Sequence, residues 1–392
     1  MNHSHRIVAP AARVAALSAL LLCTAPAQIT AHVLVERFDL VSSMRFGGET
    51  GARYGAGVAV GDGRAAIAGL DGVVPLRPRI YSSGWWQLPL VPNCSYRVAC
   101  DGSDLLVGDE FYDSGRGRVH FLTTAFLSST LNFTVANPSP SAYWSHFGGS
   151  VAMAGGIAAI GKPDGESVYL STTAGGLFKT LSSGSSGADK FGTDVAMWAR
   201  SDGRQFRLAV GAPYNDAGGT DAGAVYLYQR DDDLGGSWVA DGELHGTVAY
   251  GVFGCDVDLD GDDLVVGSNG KAYVYRRGSS GWSRLATLSD SGGAATGFGN
   301  AVAVDDRWFA VGAPSDGSGK VKLYQAPPVG PWLVVGSNQT LTSPDATASG
   351  NDNFGGAIAI DGGVLLIGAP GYDGSVANSN CGAAYAYELT RS

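Results

Sequence analysis

The chain has 392 residues, a formal net charge of −10 and 45% hydrophobic residues. That apolar content supports a sizeable core, and 59 glycines without a Gly-X-Y period indicate many turns rather than collagen or disorder. An acidic chain is a poor nucleic-acid binder, because neutralising phosphates requires clustered Lys and Arg.

The first segment predicts export. Arg6 and Arg13 precede an apolar run at 14–23, which ends near Ala25–Ala27, a small-x-small cleavage pattern. Such a pattern is typical of a secretory signal peptide over residues 1–27, and the run is too short to span a membrane. Its removal changes the formal charge from −10 to −12.

Two alternatives at the N-terminus carry less weight. A disordered tail is one, and a lipoprotein signal at Cys23 is the other, although the bulky Leu22 argues against lipidation. We expect one domain over residues 28–392 without a transmembrane segment. Its location would be extracellular, periplasmic or associated with the cell surface.

One pattern recurs along the rest of the chain. Its last copy, Phe354–Pro370, reads FGGAIAIDGGVLLIGAP: a Phe-Gly pair, an apolar run, Asp-Gly, a second apolar run and Gly-Ala-Pro. The copies begin at Tyr54, Cys94, Phe147, Phe191, Phe253, Phe298 and Phe354. Their spacing of about 40 to 60 residues indicates a solenoid, a propeller or another repeat array.

Each copy predicts four strands. In the last one Ala357–Ile360 forms strand one, Asp361-Gly362 a tight hairpin and Val364–Ile367 strand two. Gly-Ala-Pro ends strand two because proline cannot donate to a ladder. Aromatic segments predict strand three at 224–228, 271–275, 320–324 and 383–387, and strand four often opens with tryptophan (GSWVADGEL, GWSRLATL, GPWLVVGS). No helical period is present, so the fold class is all-β.

Two details favour a closed ring. The residue after the β-branched position of strand one is small in most copies, as a taper toward an axis requires; the set is Ala59, Ala99, Ala152, Ala196, Ala303 and Ala359, with Asp258 the exception. The last copy ends after strand three, and residues 35–44 supply a spare strand. We therefore predict a seven-bladed β-propeller of four-stranded antiparallel blades, closed by the N-terminal strand pairing with the C-terminal blade.

These residues resemble the FG-GAP family, whose repeats build the seven-bladed propeller of integrin α chains. The resemblance covers about residues 33–389. It implies a binding or adhesion scaffold, with calcium in the hairpins between strands one and two. The chain shows neither an Arg-Gly-Asp nor an Asp-x-Ser-x-Ser motif, so an integrin-like signalling role has no support.

Few of the hairpins between strands one and two carry the ligands that the implied calcium ions would need. Most of the hairpins shrink to a tight turn that cannot wrap an ion needing six to eight oxygens. The longer loop of the fourth copy places Ala199, Ser201, Gly203 and Arg207 at the ligand positions. In the fifth copy Asp256, Asp258 and Asp260 form a weak calcium candidate, but the register favours an ordinary hairpin there, with no cofactor.

Acidic residues recur in the loops between strands two and three. The candidates are Asp71, Asp109, Asp113, Asp164, Asp216, Asp221, Asp316 and Asp373. Short Asx side chains commonly bond their own backbone in turns, which is the structural explanation. The functional one is position: these loops converge on one face of a propeller, where a ring of carboxylates suits cations or a basic ligand.

Other residues give weaker signals. Trp85, Trp86, Trp238, Trp282 and Trp332 repeat at the strand-four position, which indicates blade packing more than a sugar-stacking shelf. The four cysteines of the mature chain, Cys94, Cys100, Cys255 and Cys381, allow disulfides, but buried thiols are the preferred expectation. The histidines are scattered, and no G-x-S-x-G or phosphate loop occurs, so we expect no enzyme.

The expected function is a non-catalytic binding or adhesion scaffold, monomeric, with a protein or glycan ligand on the face of the two–three and four–one loops. The alternative is a secreted polysaccharide-active enzyme of the lyase type, or a lectin, on the same propeller. Paired carboxylates for such chemistry become visible only in three dimensions.

Overall fold

The computed structural model describes residues 53–61, 64–69, 72–78, 85–87, 91–92, 97–124, 129–139, 144–184, 188–232, 236–326, 339–344, 352–373 and 382–389. The predicted signal peptide, the predicted strand at 35–44, and the cysteines at 94 and 381 lie outside these residues. Helical elements in the described part are short turns at Tyr112–Gly115, Pro163–Gly165 and Gly293–Thr296. No helix among the described residues is long and apolar enough to cross a bilayer.

The strands of the first four sheets follow one another along the chain, and we call each sheet a blade. Blade 1 contains β1 (Gly57–Gly61), β2 (Arg64–Gly69), β3 (Gly72–Pro78), β4 (Trp85–Gln87) and β5 (Val91–Pro92). Blade 2 contains β6 (Arg97–Asp101), β7 (Asp104–Asp109), β8 (Arg118–Thr124) and β9 (Ser129–Ala136). Blade 3 contains β10 (Ser150–Ala154), β11 (Ile157–Lys162), β12 (Ser167–Thr172) and β13 (Leu177–Leu181). Blade 4 contains β14 (Val195–Ala199), β15 (Gln205–Ala212), β16 (Ala224–Asp231) and β17 (Val239–His245).

The remaining sheets continue the same meander. Blade 5 contains β18 (Val257–Asp260), β19 (Asp263–Ser268), β20 (Lys271–Gly278) and β21 (Gly281–Ser289). Blade 6 contains β22 (Val302–Asp305), β23 (Trp308–Ala313), β24 (Lys320–Gln325) and β25 (Gln339–Thr342). Blade 7 contains β26 (Ala357–Asp361), β27 (Val364–Ala369) and β28 (Ala383–Glu388).

The all-β propeller of four-stranded antiparallel blades is confirmed. Within the described residues blades 1 to 6 each have four or five strands, and blade 7 has three. The structure therefore shows six complete blades rather than the seven predicted. Completion of blade 7 by residues 35–44 stays a prediction, because those residues are not among the described ones.

The repeat pattern matches the strands, with one small correction at the hairpin. Strand one and strand two of the last copy are β26 and β27, and the aromatic segments lie in β16, β20, β24 and β28. In blade 7, however, Asp361 pairs with Val364, so the two turn residues are Gly362 and Gly363. Both have positive φ, +57° and +81°, as a type I′ turn requires. The aspartate closes the strand, and the glycine after it opens the turn.

The aromatic residue of each Phe-Gly pair anchors its blade. Phe147, Phe191, Phe253, Phe298 and Phe354 are almost completely buried. Phe191 meets Tyr226 of β16 edge-on, with ring centroids 5.3 Å apart. Phe253 meets Tyr273 of β20 at the same distance. Edge-to-face pairs add to the burial of the rings, so the Phe and Tyr positions of the repeat are two halves of one contact.

The glycine of each Phe-Gly pair joins consecutive blades. The Gly254 N–H donates to the Gly267 carbonyl within blade 5 at 2.9 Å. Its φ is +89°, and a Cβ would lie 2.6 Å from the Ala224 carbonyl of blade 4. The Gly254 carbonyl in turn presses on Gly211, the Gly-Ala-Pro glycine of blade 4, where a Cβ would overlap it. Neighbouring blades thus meet backbone to backbone at two glycines.

The same contact occurs between the last and first described blades. The Gly55 carbonyl lies where a Cβ on Gly368 would be, and Tyr54 forms a parallel bridge with Gly382. Tyr54, Ile67 and Leu366 also belong to one buried cluster. Blade 1 and blade 7 are therefore neighbours in space.

Candidate functional site: the loop face and the central channel

The loop face is the end of the propeller that carries the two–three loops and the four–one connections. In blades 2 to 5 it consists of residues 110–117, 144–149, 163–166, 188–194, 213–223 and 246–256. Consecutive antiparallel strands alternate in direction, so these two kinds of loop lie at one end of each blade. Five of the eight predicted loop carboxylates, Asp109, Asp113, Asp164, Asp216 and Asp221, are in or beside these segments.

Several loop aspartates are paired with basic side chains. Asp109 accepts a hydrogen bond from Arg118 Nε at 2.8 Å, and Asp113 accepts one from Arg116 Nη1 at 2.6 Å. In blade 6, Asp316 lies 2.9 Å from Lys320 Nζ. The predicted ring of carboxylates therefore includes ion pairs, which present little net charge to a cation.

Asp164 is the centre of a longer ionic chain. One carboxylate oxygen contacts Nδ1 of His146 and the other contacts Nζ of Lys190. The three residues come from different segments: the entry to blade 3, the two–three loop of blade 3 and the entry to blade 4. The chain His146–Asp164–Lys190 therefore spans the boundary between two blades.

Glu166 holds the end of this chain in place. Its carboxylate accepts the backbone N–H of Lys190 at 2.8 Å and that of Phe191 at 3.0 Å. Burial raises the pKa of Glu166, and the two N–H bonds oppose that rise. Because Phe191 is the buried anchor of blade 4, Glu166 fixes the position of Lys190 relative to the core.

The other predicted acids have local or buried roles. Asp216 accepts the backbone N–H of Asp221 at 2.8 Å, a bond within its own loop. Asp221 itself has a φ of +47°. Asp373 is buried, and Asp71 lies outside the described residues.

Exposed aromatic rings concentrate on the loop face. In the described part of the chain, the exposed aromatics are Phe111, Tyr112, Trp144, Phe178, Tyr214 and Tyr250. Only Phe178 lies elsewhere, on strand β13. Large exposed apolar groups gathered in one region mark an interaction site more often than scattered ones do.

Trp144 is the most distinctive of these rings. It is 63% exposed, and its backbone has a φ of +54°, which is unusual for a bulky residue. Its ring and that of Phe111 both contact the His146 imidazole, with centroids 6.3 Å and 5.9 Å away. Two exposed rings thus flank the start of the ionic chain.

Glu110 lies beneath this group. Burial raises its pKa, while the charges of Arg97 and His146 act in the opposite direction. At the end of the same loop, the guanidinium of Arg118, which bonds Asp109, lies 3.8 Å from the centroid of the Tyr112 ring. Cations over aromatic faces stabilise the ring orientation.

The second candidate region is the central channel. It encloses about 460 Å³ and is lined by the innermost strand of every blade, with mostly small side chains. Four of the predicted alanines, Ala59, Ala99, Ala152 and Ala196, are buried there. The acidic residues at the channel are Asp194, Asp256 and Asp258.

Aspartates connect the inner strands of blades 4, 5 and 6. Asp256, Asp258 and Asp260 of blade 5 accept the backbone N–H groups of Val302, Val304 and Asp306 in blade 6, each at 2.7 Å. Asp194 of blade 4 accepts that of Val257 in blade 5 at 2.8 Å. The innermost strand has an unpaired edge, so these carboxylates satisfy donors that would otherwise need water.

Ionisation of these groups is opposed by their surroundings. Burial raises the pKa of Asp194 to about 6 and that of Asp258 to about 7. Burial and the neighbouring Asp194 charge raise the pKa of Asp256 well above its usual range. Arg97, which also lines the channel, partly offsets the rise at Asp194 and Asp256.

The weak calcium candidate is not assembled as a three-carboxylate site. Asp256, Asp258 and Asp260 each reach a different donor of blade 6, and no group of three or more potential ligands is gathered among the described residues. The hairpin expected instead is present, since Asp260 pairs with Asp263. Asp258, an acid at an alanine position, has its partners in the N–H groups of Val304 and Leu259.

The other tryptophan, histidine and cysteine candidates that the structure describes lie within blades or at contacts between them. Trp238 is buried against Phe206, and the Trp282 indole N–H donates to Asp241 of blade 4 at 2.8 Å. His120 bonds Thr134 within blade 2. Burial raises the pKa of the Cys255 thiol to about 12. Trp332 and the side chains of Trp85 and Trp86 are not among the described features.

The family assignment follows from this geometry together with a sequence match. A model of the FG-GAP repeat matches residues 179–228 and 335–387. Both segments hold the Phe-Gly, Gly-Ala-Pro and tyrosine positions that form the blade contacts described above. The chain is an FG-GAP repeat β-propeller.

Comparison with solved structures supports the fold and nothing beyond it. A structural-genomics crystal structure of a protein from Lactobacillus plantarum resembles this FG-GAP propeller with a TM-score of 0.51 and 13% identity. The match covers 77% of this chain and 86% of that one. No curated protein sequence matches the chain. At such identity the likeness speaks for architecture, not for ligand or activity.

Several residues of the loop face escaped the sequence reasoning. They are Phe111, Trp144, His146, Glu166 and Lys190 of the FG-GAP propeller. A usable signal existed for the rings, because Phe111 and Trp144 stand in loop segments outside every predicted strand. The strand-four tryptophans give a more regular pattern, but Trp238 is buried and Trp282 bonds the neighbouring blade.

Proposed function

We propose that this protein is an exported, non-catalytic binding scaffold whose ligand docks on the loop face of blades 2 to 5. One observation carries the proposal: five of the six exposed aromatics in the described residues lie there. Aromatic side chains supply large contact area at low entropic cost, which suits them to recognition.

The finer architecture is part of the proposal. Residues 28–392 would form one monomeric seven-bladed domain, with residues 35–44 as the fourth strand of blade 7. The three described strands of that blade and its contact with blade 1 support this arrangement. Residues 1–27 would direct export and be removed. A cofactor is not part of the proposed activity.

A matched pair of variants tests the role of the face. Trp144→Ala with Tyr250→Ala removes two rings that are 63% and 64% exposed, and Phe178→Ala removes a ring 46% exposed on an outer strand. Labelled proteins would be applied to arrays of immobilised glycans and extracellular proteins. We expect the double variant to lose binding by tenfold or more and Phe178→Ala to bind as the original chain does. Equal binding by all three would overturn the proposal.

A second candidate, a secreted polysaccharide-active enzyme, is favoured by the contact of His146 with Asp164. An imidazole oriented by a carboxylate is suited to proton transfer. Release of reducing ends or unsaturated products from polysaccharides, lost in His146→Gln but kept in His245→Gln, would favour this enzyme over the scaffold. His245 is an exposed control on strand β17.

A further inference from the structure

The aromatic rings of the loop face are joined by a continuous polar path. Phe111 and Trp144 contact His146, which pairs with Asp164, which pairs with Lys190. Asp189, the residue before Lys190, accepts a hydrogen bond through its backbone carbonyl from the N–H of Tyr214 at 3.1 Å. Rings thus stand at both ends of a line that runs from blade 2 to blade 4.

A further ring extends the far end of this line. Tyr250 is 64% exposed, and its backbone N–H donates to the Thr220 carbonyl in the two–three loop of blade 4 at 2.7 Å. Tyr214 and Tyr250 therefore project from two loops that are bonded to each other. The line has one aromatic group near blade 2 and another at blade 4.

Acidic side chains outnumber basic ones along the line, but several of them are already bound by other groups of the protein, and Glu166 and Asp216 accept backbone N–H groups. Asp109 pairs with Arg118, Asp113 with Arg116, and Asp164 with both His146 and Lys190. A ligand of high charge of either sign would have to compete with these pairs. The side chains of His146, Asp164 and Lys190 supply an imidazole, a carboxylate and an ammonium group, which can also bond hydroxyls.

From this arrangement, and resting on the proposed binding function, we propose that the loop face binds a neutral, linear polysaccharide. The apolar C–H face of a pyranose ring would stack on Trp144 or Phe111 at one end and on Tyr214 or Tyr250 at the other. Hydroxyl groups of the intervening sugars would bond the side chains of His146, Asp164 and Lys190.

The test is calorimetric titration of the full-length mature chain with neutral oligosaccharides. The probes are cellohexaose, xylohexaose and chitohexaose, each with its shorter homologues down to the monosaccharide. We expect one series to bind, with affinity rising with chain length as the second aromatic group is reached. We also expect tryptophan fluorescence to change on binding, because Trp144 is exposed.

Variants separate stacking from general contact. Trp144→Ala should weaken binding by about tenfold or more, Trp144→Phe should weaken it less, and Phe178→Ala should leave it unchanged. The affinity should change less than about twofold when salt rises, since screening acts on charged partners. Polygalacturonate serves as the charged comparison.

The outcomes separate this inference from the broader function. Binding of arrayed proteins that depends on Trp144, without binding of any neutral oligosaccharide, would refute the saccharide and leave the loop face standing. Salt-sensitive binding of polygalacturonate alone would refute neutrality, and affinity independent of chain length would refute a linear ligand. If no arrayed protein, glycan or oligosaccharide bound in a way that depends on Trp144, both proposals would be refuted.

Discussion

The channel and the loop face use the same residue, aspartate, in opposite ways. On the loop face Asp109, Asp113 and Asp164 meet basic side chains, so their charges are balanced. In the channel Asp256 and Asp258 meet backbone N–H groups of the next blade, and burial raises their pKa. An acidic residue in a propeller therefore cannot be assigned to ligand binding from its type alone; its depth in the blade decides.

The difference also separates stability from recognition. Channel carboxylates join inner strands, and their loss or ionisation should change the free energy of unfolding. Surface ion pairs contribute little to that free energy, because solvent screens them and ordering their side chains costs entropy. Variants of the two regions should therefore differ in which measurement they affect.

The largest effect should come from Gly299, a glycine at the contact between blades 5 and 6. Gly299 has a φ of +92°, and a Cβ there would overlap the Lys271 carbonyl oxygen of blade 5. Gly299→Ala should lower the free energy of unfolding by more than about 3 kcal/mol, since backbone must move to admit the methyl group. Urea unfolding followed by fluorescence would measure it.

The matched control is Gly203→Ala. Gly203 has a φ of +69°, but a Cβ would meet nothing within 4 Å. Only the left-handed backbone penalty applies there, about 1 kcal/mol. Equal losses for the two variants would show that the contact between blades contributes nothing.

An intermediate effect with a defined pH dependence is expected at Asp258. Its pKa in the folded chain is about 7, compared with an ordinary 3.8. Between those values the folded state holds a proton that the unfolded state releases, so this group makes stability fall as pH rises from about 4 to 7. Asp258→Asn keeps an acceptor oxygen for Val304 and cannot ionise. It should match the original chain at pH 4 and exceed it by about 1–2 kcal/mol at pH 8.

An exposed aspartate gives the opposite sign as a control. Arg200 lowers the pKa of Asp202 through a side-chain hydrogen bond. Its stabilising contribution is present above the unfolded pKa and is lost as pH falls, so Asp202→Asn should be slightly less stable than the original chain at pH 8. If Asp258→Asn were less stable than the original chain at pH 8, as expected for Asp202→Asn, the raised pKa of Asp258 would be wrong. If calcium raised the melting temperature of the original chain and not that of Asp258→Asn, the channel would bind this cation.

The smallest effect should come from Asp316 on the loop face of blade 6. It pairs with Lys320 on a partly exposed surface. Asp316→Asn should change the free energy of unfolding by less than about 0.5 kcal/mol. A loss of several kcal/mol in the same urea titration would erase the contrast between channel and face.

Much of the fold was predictable because the repeat encodes contacts inside one blade. Phe-Gly, the Asp-Gly hairpin, Gly-Ala-Pro and the strand-three tyrosine recur in register, and each corresponds to an observed strand, turn or ring contact. Strand four is less regular: in blade 6 the described strand is Gln339–Thr342, and the tryptophan segment predicted for it lies outside the described residues. That strand lies on the outer edge, where fewer contacts constrain its sequence.

The candidate site was less predictable because its contacts cross between blades. Asp164 meets Lys190 from the next copy, and nothing in a loop motif states which cation it will find. The channel bonds did leave a trace: Asp256, Asp258 and Asp260 each bond a residue 46 positions later, one more than the 45 positions that separate Phe253 from Phe298. Aligning acids with the edge of the following copy would have found them.

The residue just before each Phe-Gly pair has a consequence for how such a ring can change its specificity. This position is occupied by His146, Lys190, Val252 and Asn353, and their φ angles lie between 44° and 59°. The buried aromatic holds the backbone next to them, while their own side chains emerge at the rim. Substituting these side chains would change the groups that the protein presents to a ligand without repacking the core. The fold therefore offers one such variable position in each repeat.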